Sequence, residues 1–159
     1  MIRPATASDA PAIAQVWNPW IRDTAITFSA TLKSAADIAR MIAERAQAGH
    51  AFLVTDDLQG FATYAQFRAG SGYKTCMEHT IILAPRARGN GQGRALMQTL
   101  ESHAAQAGAH QMIAGISAEN PDGIHFHAAL NYHEIARIPQ AGFKFSRYID
   151  LVLMQKFLS

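Results

Sequence analysis

The chain is poor in cysteine and charge and has no long apolar run, and each shortage excludes a class of protein. Cys76 is the only cysteine, which excludes an intrachain disulfide framework and favours a reducing compartment. The 14 basic and 12 acidic residues leave a net charge of +2, which gives no support for nucleic-acid binding. Because no stretch of about 18 apolar residues occurs, we expect a cytoplasmic, soluble protein with no membrane partner.

The sequence is rich enough in apolar residues to build a core. Its hydrophobic fraction is 49% over 159 residues, which fits one domain spanning residues 1–159. The segments "TASD" (6–9) and "SAAD" (34–37) have capping-box spacing and precede apolar residues at helical intervals, so each predicts a helix. We expect Pro19 to end or kink the first helix and Gly49 to close the second.

The apolar period then changes to that of strands. Residues 51–55 and 61–67 flank the turn "DDLQG" and predict a hairpin, and 75–83 predict a third strand. A helix ending at Gly108 follows, and then a strand (110–117), a short helix from about Asn120 and a long strand (145–157). This order predicts an α+β domain around a central sheet.

The segment "APRARGNGQGRAL" (84–96) places three glycines between a predicted strand and a predicted helix. Free N–H groups and the positive dipole end at a helix N-terminus make an anion site there. The G-x-G-x-G spacing and the absence of an acid in 110–117 exclude a dinucleotide fingerprint, and no Gly-Lys-Ser/Thr supports a Walker loop. A plain flexible loop is the alternative, which the flanking strand and helix disfavour.

The pattern Arg88-x-x-Gly91-x-Gly93 after the strand "HTIIL" resembles the acetyl-coenzyme A (acetyl-CoA) pyrophosphate loop of the GNAT acyltransferase superfamily. The resemblance implies the GNAT fold, a central, mostly antiparallel mixed sheet flanked by helices, and acetyl-CoA as co-substrate. It also implies that the backbone of the preceding strand holds the pantetheine arm and the thioester carbonyl. The cofactor-binding residues implied are Ile81, Ile82, Leu83, Arg88, Gly89, Asn90, Gly91, Gln92, Gly93 and Arg94.

Four segments narrow the resemblance to one branch of that superfamily. They are "IRDTAITF" (21–28), "TCMEHTIIL" (75–83), "SAENPDGIHFHAALNY" (117–132) and "GFKFSRYIDLVLMQ" (142–155). They resemble phosphinothricin and methionine sulfone N-acetyltransferases over nearly the whole chain, which implies a small amine or amino acid analogue as acceptor and a homodimer. The chain departs from the pattern at Ala128, Asn131 and Tyr132. Because Asn tolerates a left-handed helix end, these departures affect the acceptor pocket rather than the fold.

Two side chains are candidates for the chemistry. Acyl transfer needs a neutral amine, and Glu78 is the candidate base because a carboxylate in an apolar strand is costly to bury without a role; the alternative is that it faces solvent. The resemblance supports action through a water molecule. For His127 the resemblance implies a place near the coenzyme A sulfur, as a proton donor or as a cofactor contact, and a structural role is the alternative. Asn120 is expected to cap its helix and, by resemblance, to bind the cofactor.

The acceptor site follows from family position alone. The residues implied are Phe28, Arg68, Tyr73, Glu78 and Thr80. Lys144 and Arg147 are further candidates that could pair with a substrate carboxylate, with ordinary surface charge as the alternative. His125 and His127 diverge on a helix, so no metal site is expected. Cys76 is expected to be a buried filler, so transfer should be direct, without a covalent enzyme intermediate.

The sequence therefore predicts an acetyl-CoA-dependent N-acetyltransferase. The expected acceptor is a small amino acid analogue of the phosphinothricin, methionine sulfone or methionine sulfoximine type. Another amine, such as a peptide N-terminus, a polyamine or an aminoglycoside, is one alternative, although no acidic cluster suits a polycation. A non-catalytic acyl-CoA-binding module is the other, and the presence of Glu78 and His127 counts against it.

Overall fold

The computed structural model describes residues 1–159 as four α-helices and one seven-stranded sheet. The helices are α1 (Ala10–Asp23), α2 (Ala35–Gln47), α3 (Gln92–Gln106) and α4 (Pro121–Ala129). The strands are β1 (Ile2–Pro4), β2 (Phe52–Thr55), β3 (Gly60–Gln66), β4 (Cys76–Leu83), β5 (Gln111–Ser117), β6 (His133–Lys144) and β7 (Arg147–Phe157). Single 3₁₀ turns cover Ala7–Asp9, Ser71–Tyr73 and Pro85–Ala87.

The strands lie in the order β1-β2-β3-β4-β5-β7-β6. Every neighbouring pair is antiparallel except β4 and β5, which are parallel. The parallel pair is possible because α3 forms the crossover between its two strands. The expected central, mostly antiparallel mixed sheet flanked by helices is therefore confirmed.

Each face of the sheet buries its own apolar cluster. On one face α1 and α2 pack on β2, β3 and β4, with Trp17 and Phe61 in ring contact at 4.7 Å between centroids. On the other face α3 inserts Leu96, Met97 and Leu100, which are fully buried. The two clusters hold α1 and the start of α3 on opposite sides of β4, which carries the candidate base.

The helix starts and one helix end test the local predictions. Ser34 and Asp37 form the reciprocal capping box, with Asp37 N donating to Ser34 Oγ at 3.0 Å and Ser34 N donating to Asp37 Oδ2 at 2.9 Å. The expectation that Pro19 ends the first helix is wrong, because α1 continues to Asp23. The proline ring lies on the exposed face, and burial of Trp17 and Ile21 on the sheet holds the helix on both sides of it.

Two strands have no counterpart among the predictions. β1 has only three residues, too few for a period to show. β6 is the edge strand, it is mostly exposed, and its register with β7 is interrupted between Ile138 and Gly142. Pro139 and the polar residues near it obscure the strand pattern in the sequence, although proline is tolerated in an edge strand.

The parallel strands β4 and β5 separate part-way along their length. They pair from Cys76↔Gln111 to His79↔Ala114, and no pairing joins them beyond that point. β4 continues to Leu83 against β3, and β5 continues to Ser117 against β7. The sheet therefore opens into a wedge, which we call the β4–β5 opening, between residues 80–83 and 115–117. Backbone groups along this opening are free to bind an extended ligand.

Candidate active site

A cavity of about 780 Å³ lies at the β4–β5 opening. Its walls come from the α1–α2 connection, β4, the glycine loop, β5 and α4. The cavity brings together most of the residues that the sequence singled out, namely Phe28, Thr80, Ile81, Ile82, Leu83, Arg88, Gly89, Gly91, Gly93, Arg94, Asn120 and His127. Residues scattered over a hundred positions of the chain therefore border one space.

The glycine loop has the backbone shape that an anion site needs. Gly89 and Gly91 have φ values of 78° and 88°, and Gly91 is the N-cap of α3. These left-handed conformations favour glycine. The first N–H groups of α3, as in any helix, have no intrahelical partners. Asn90 Oδ1 accepts a hydrogen bond from Gln92 N at 3.2 Å. A side chain on Gly93 would lie 3.0 Å from the Phe126 ring, so the missing side chain lets α3 and α4 approach closely.

Two cations stand beside this loop without ion-pair partners, Arg88 and Arg94. The Arg88 guanidinium lies 4.7 Å from the centroid of the Trp20 ring. Trp20 Nε1 donates to the Leu83 carbonyl at 3.0 Å, which ties α1 to the end of β4. The helical spacing of apolar residues gives Trp20 no role beyond packing. Trp20 therefore belongs to the site, because its ring contacts Arg88 and its Nε1 holds the end of β4.

These features fit acetyl-CoA when taken together. A pyrophosphate needs N–H donors and positive charge, which the α3 N-terminus, Arg88 and Arg94 provide. An amide-bearing arm needs open backbone positions, which Ile81 and its neighbours offer along the β4–β5 opening. The cavity reaches from the loop to the point where the strands join, so one elongated ligand can contact both regions.

Glu78 lies next to this space on the α1–α2 side of the sheet. It is half-buried, and its Oε2 would lie 2.8 Å from a Cβ placed on Gly115. Gly115 lines the cavity, so the carboxylate is directed towards it across the β4–β5 opening. Burial raises the pKa of Glu78 above its ordinary value. A carboxylate with a raised pKa, behind a glycine that lines the cavity, is a candidate for proton transfer.

His127 lies on the opposite side of the opening and is buried. Its Nδ1 is 2.7 Å from the Gly123 carbonyl, and its Nε2 is 2.9 Å from His79 Nε2. Burial lowers the pKa of His127. Asn120 caps α4 as expected, with its Oδ1 accepting from Gly123 N at 3.0 Å. The sequence singled out His127 but not His79, which also lines the cavity.

Lys144 supports the α1–α2 connection, which forms one wall of the cavity. The side chain is 4% exposed, and Nζ donates to the carbonyls of Thr24 and Thr27 at 2.7 and 2.8 Å. The connection that it fixes carries Phe28, whose ring packs where Gly142 has no side chain. Burial lowers the pKa of Lys144. The alternative of an ordinary surface charge is therefore wrong for Lys144.

Several other candidates lie outside the cavity wall. Arg68 and Tyr73 are on the β3–β4 connection, with the guanidinium 5.9 Å from the ring centroid. Gln92 donates to Asp57 Oδ2 at 3.0 Å instead of facing the cavity. Arg147 is exposed and forms a bidentate pair with Glu119. None of these four side chains lines the cavity, and Gln92 supports the glycine loop instead.

Cys76 is less buried than the sequence predicts. It is half-buried rather than buried, because it begins β4 at the rim of the sheet. Burial and then the nearby charge of Glu78 raise the pKa of its thiol, which disfavours the nucleophilic thiolate.

Lys33 is a cation that the sequence did not single out. Its Nζ lies 4.6 Å from the centroid of the Trp17 ring, and it forms no ion pair. Asn18 fixes its backbone, accepting from Lys33 N and donating to Lys33 O, each at 2.9 Å. It is the one Lys or Arg lining the cavity that does not belong to the glycine loop. The placement of Lys33 depends on how the α1–α2 connection folds, which the sequence pattern does not indicate.

No group of three or more His, Cys, Asp or Glu side chains is placed to hold a metal ion. None of the helices combines the length and apolarity that a bilayer crossing requires.

Comparison with known proteins agrees with this geometry. The model of the acetyltransferase (GNAT) family matches residues 16–132. The chain is 32% identical to the L-amino acid N-acyltransferase MnaT of Escherichia coli, covering 97% of this chain and 91% of that protein. It is 31% identical to the L-methionine sulfoximine/L-methionine sulfone acetyltransferase of Salmonella typhimurium, covering 97% and 92%. The phosphinothricin acetyltransferase of Sinorhizobium meliloti, solved with acetyl-CoA, superposes with a TM-score of 0.93 at 29% identity, covering 100% and 88%.

The chain belongs to the acetyltransferase (GNAT) family. The expectation of an acetyl-CoA-dependent N-acetyltransferase is thereby confirmed.

Proposed function

We propose that this enzyme acetylates the amino group of a small amino acid analogue of the methionine sulfone, methionine sulfoximine or phosphinothricin type. The observation that carries the proposal is the cavity at the β4–β5 opening, with the half-buried carboxylate of Glu78 beside its lining residue Gly115 and the glycine loop at its end. The names of the relatives supply the acceptor class. We further propose that residues 1–159 act as one acetyltransferase domain in the cytoplasm, since a single cysteine fits a reducing compartment.

In this proposal Glu78 acts as the base. Acetyl-CoA, when bound, supplies an acetyl group activated as a thioester. An amino acid ammonium must lose a proton before its nitrogen can attack, and Glu78 accepts that proton through one water molecule. The raised pKa of Glu78 brings its proton affinity closer to that of the amine. Transfer is proposed to be direct, because Cys76 does not line the cavity and the pKa of its thiol is raised.

The cofactor is proposed to lie along the residues that the loop and β4 provide. The N–H groups of residues 89–94 and the charges of Arg88 and Arg94 hold the pyrophosphate. The backbone of Ile81–Leu83 binds the pantetheine arm. Asn90 and Gln92 support the loop from outside the cavity wall. On the far side of the β4–β5 opening, Asn120 and His127 present the first turns of α4 to the arm.

The acceptor is proposed to occupy the α1–α2 side of the cavity. Thr80 and Phe28 line it, and Lys33 is the cation available for a carboxylate. Arg68 and Tyr73, which lie outside the cavity wall on the β3–β4 connection, are proposed to contact the acceptor from the rim. Lys144 fixes the connection that carries Phe28.

We also propose a homodimer formed through the β6–β7 hairpin. Ile138, Phe143 and Tyr148 are 43%, 59% and 64% exposed there, and Phe143 and Tyr148 are in ring contact. Exposed apolar side chains grouped at one place are typical of a contact surface between proteins. Sedimentation velocity of the wild type and of Phe143→Asp tests this: loss of a dimer in the variant supports the surface, and a monomeric wild type contradicts it.

A thiol-release assay tests the proposed activity. Purified enzyme with acetyl-CoA is offered methionine sulfone, methionine sulfoximine and phosphinothricin, with spermidine, an aminoglycoside and an alanyl peptide as competing classes. We expect coenzyme A release and N-acetyl product with the amino acid analogues, and strongly reduced release with Glu78→Gln. Release with only the peptide or the polyamine would replace the acceptor class. Cofactor binding without release for any amine would favour a non-catalytic module.

A further inference from the structure

The His79 and His127 side chains form a buried imidazole pair at the closed end of the β4–β5 opening. Their Nε2 atoms are 2.9 Å apart, and the side chains are 8% and 5% exposed. His79 belongs to the last residue pair that joins β4 to β5 before the strands separate. The contact therefore links β4 to α4 at the point where the cavity begins.

Only one arrangement of protons satisfies this pair when it is neutral. The Gly123 carbonyl can only accept, so the proton on His127 must be at Nδ1, 2.7 Å away. His127 Nε2 is then bare and must accept from Nε2–H of His79. His79 Nδ1 is consequently bare as well, and it is buried without a hydrogen-bond partner. Each ring is thus confined to a different tautomer.

The surroundings keep the pair neutral. Burial, and then the neighbouring imidazole, lower the pKa of His79 to about 3, against a smaller opposing effect of the Ile113 backbone. Burial lowers the pKa of His127. The ring of Tyr132 packs against both imidazoles, and its hydroxyl donates to Glu101 Oε2 at 3.0 Å. Lys156 pairs with the other oxygen of Glu101. Glu78 lies on the opposite face of the sheet, so no unpaired carboxylate faces the pair.

We propose that His79 is a positioning residue for His127. The Gly123 carbonyl sets the Nδ1–H tautomer of His127. By donating to His127 Nε2, His79 ties that ring to β4 and fixes the first turns of α4, from Asn120 to His127, at the cofactor arm. Both ring nitrogens of His127 are then occupied, so neither can give a proton to sulfur. His127 is therefore a cofactor contact rather than the acid. This inference rests on the proposed function, because it concerns the same cofactor site.

Nitrogen NMR of the histidine-labelled enzyme tests the proton arrangement directly, without turnover. In wild-type protein at pH 7, with and without coenzyme A, we expect His127 as the neutral Nδ1–H tautomer and His79 as the neutral Nε2–H tautomer. His79→Phe removes the donor. His127 should then keep its Nδ1–H bond to Gly123 but lose the hydrogen bond at Nε2, so its Nε2 nitrogen shift should become that of a free acceptor and the ring should titrate at higher pH than in the wild type. His79→Gln can place an amide N–H near the original Nε2 and should restore the wild-type Nε2 shift.

Calorimetry with coenzyme A alone tests the effect on the site. Loss of one buried hydrogen bond predicts an increase in Kd of about 3- to 10-fold in His79→Phe, and the Gln variant should lie close to the wild type. With acetyl-CoA, KM should rise more than kcat falls. His125→Phe, an exposed position on the same helix, is the control and should change neither quantity.

Three outcomes would overturn the proposal. They are an Nε2–H tautomer at His127, an unchanged His127 Nε2 shift and Kd in His79→Phe, or equal losses in the Phe and Gln variants, which would indicate packing alone. Failure of the proposed function has a different signature, since the wild type would then release no thiol with any amine while its NMR spectrum and Kd are unaffected.

Discussion

The Glu78 carboxylate occupies the space that a side chain at position 115 would fill. A Cβ on Gly115 would lie 2.8 Å from Glu78 Oε2, and β5 presents this glycine to the β4–β5 opening. The φ angle of Gly115 is not in the left-handed region, so conformation does not require glycine here. The missing side chain instead makes room for the proposed base.

Gly115→Ala therefore tests the position of the carboxylate without removing it. The added methyl should displace Glu78 by a fraction of an ångström to an ångström, and misplacement of a reacting group on that scale lowers kcat by roughly 10- to 100-fold. The KM for acetyl-CoA and the urea midpoint should change little. Gly72→Ala, with no atom within 4 Å of the new Cβ, is the matched control. Wild-type kcat in Gly115→Ala would show that the carboxylate position is not critical.

Glu78→Gln tests the base itself through the pH dependence of the rate. A base works only when ionised, so kcat/KM of the wild type should fall as pH drops through the pKa of Glu78. Burial raises that pKa, so the fall begins at higher pH than for an exposed glutamate. The variant should lose about 10²- to 10⁴-fold in kcat and lack this limb, while Kd for coenzyme A stays unchanged. Persistence of the same limb in the variant would assign it to another group.

Much of the fold and the place of the glycine loop between β4 and α3 could be predicted because their signals are local. Ser34 and Asp37 predict a helix start that depends on neighbouring residues alone, and Gly91 sits between a strand and a helix along the chain. Prediction from local signals fails for β6 and for His79. β6 is an edge strand with few buried residues, and the role of His79 depends on its hydrogen-bond partner His127, which is 48 residues away. Contacts of this kind are created by the fold and leave no periodic trace.

Lys144→Met tests whether the connection between α1 and α2 shapes the acceptor site. The variant keeps the apolar stem but leaves the carbonyls of Thr24 and Thr27 without their donor, which should cost about 1–3 kcal/mol of unfolding free energy. Phe28 should become less well placed, so the acceptor KM should rise more than the KM for acetyl-CoA. Thermal unfolding and steady-state kinetics measure the two effects. An equal rise in both constants would argue against a selective role.

Cys76→Ser tests direct transfer. The thiol is half-buried with a raised pKa, so it should not accept an acetyl group, and the variant should retain kcat within about 2-fold. Mass spectrometry of wild-type enzyme mixed with acetyl-CoA alone should show no acetylated protein. A stable acetyl adduct at Cys76 that disappears on adding the amine would establish a covalent route instead.

Lys33→Met tests how the acceptor carboxylate is recognised. Lys33 lines the cavity without an ion-pair partner, and its Nζ lies 4.6 Å from the Trp17 ring centroid. Methionine keeps most of the apolar contact with the indole and removes only the charge. Since a hydrogen bond to a charged group contributes about 1.5–3 kcal/mol, the KM for methionine sulfone should rise roughly 10- to 150-fold. Acetyl-CoA should keep its KM.

The internal control is an acceptor that lacks the carboxylate, such as methionine sulfone amide. Wild type and Lys33→Met should acetylate the amide with similar kcat/KM, because the deleted charge has no partner on that substrate. Lys33→Arg should retain a large part of the preference for the acid over the amide. If Lys33→Met weakens acid and amide equally, Lys33 supports the wall of the cavity rather than binding the carboxylate, and Arg68 becomes the next candidate to test by the same pair of acceptors.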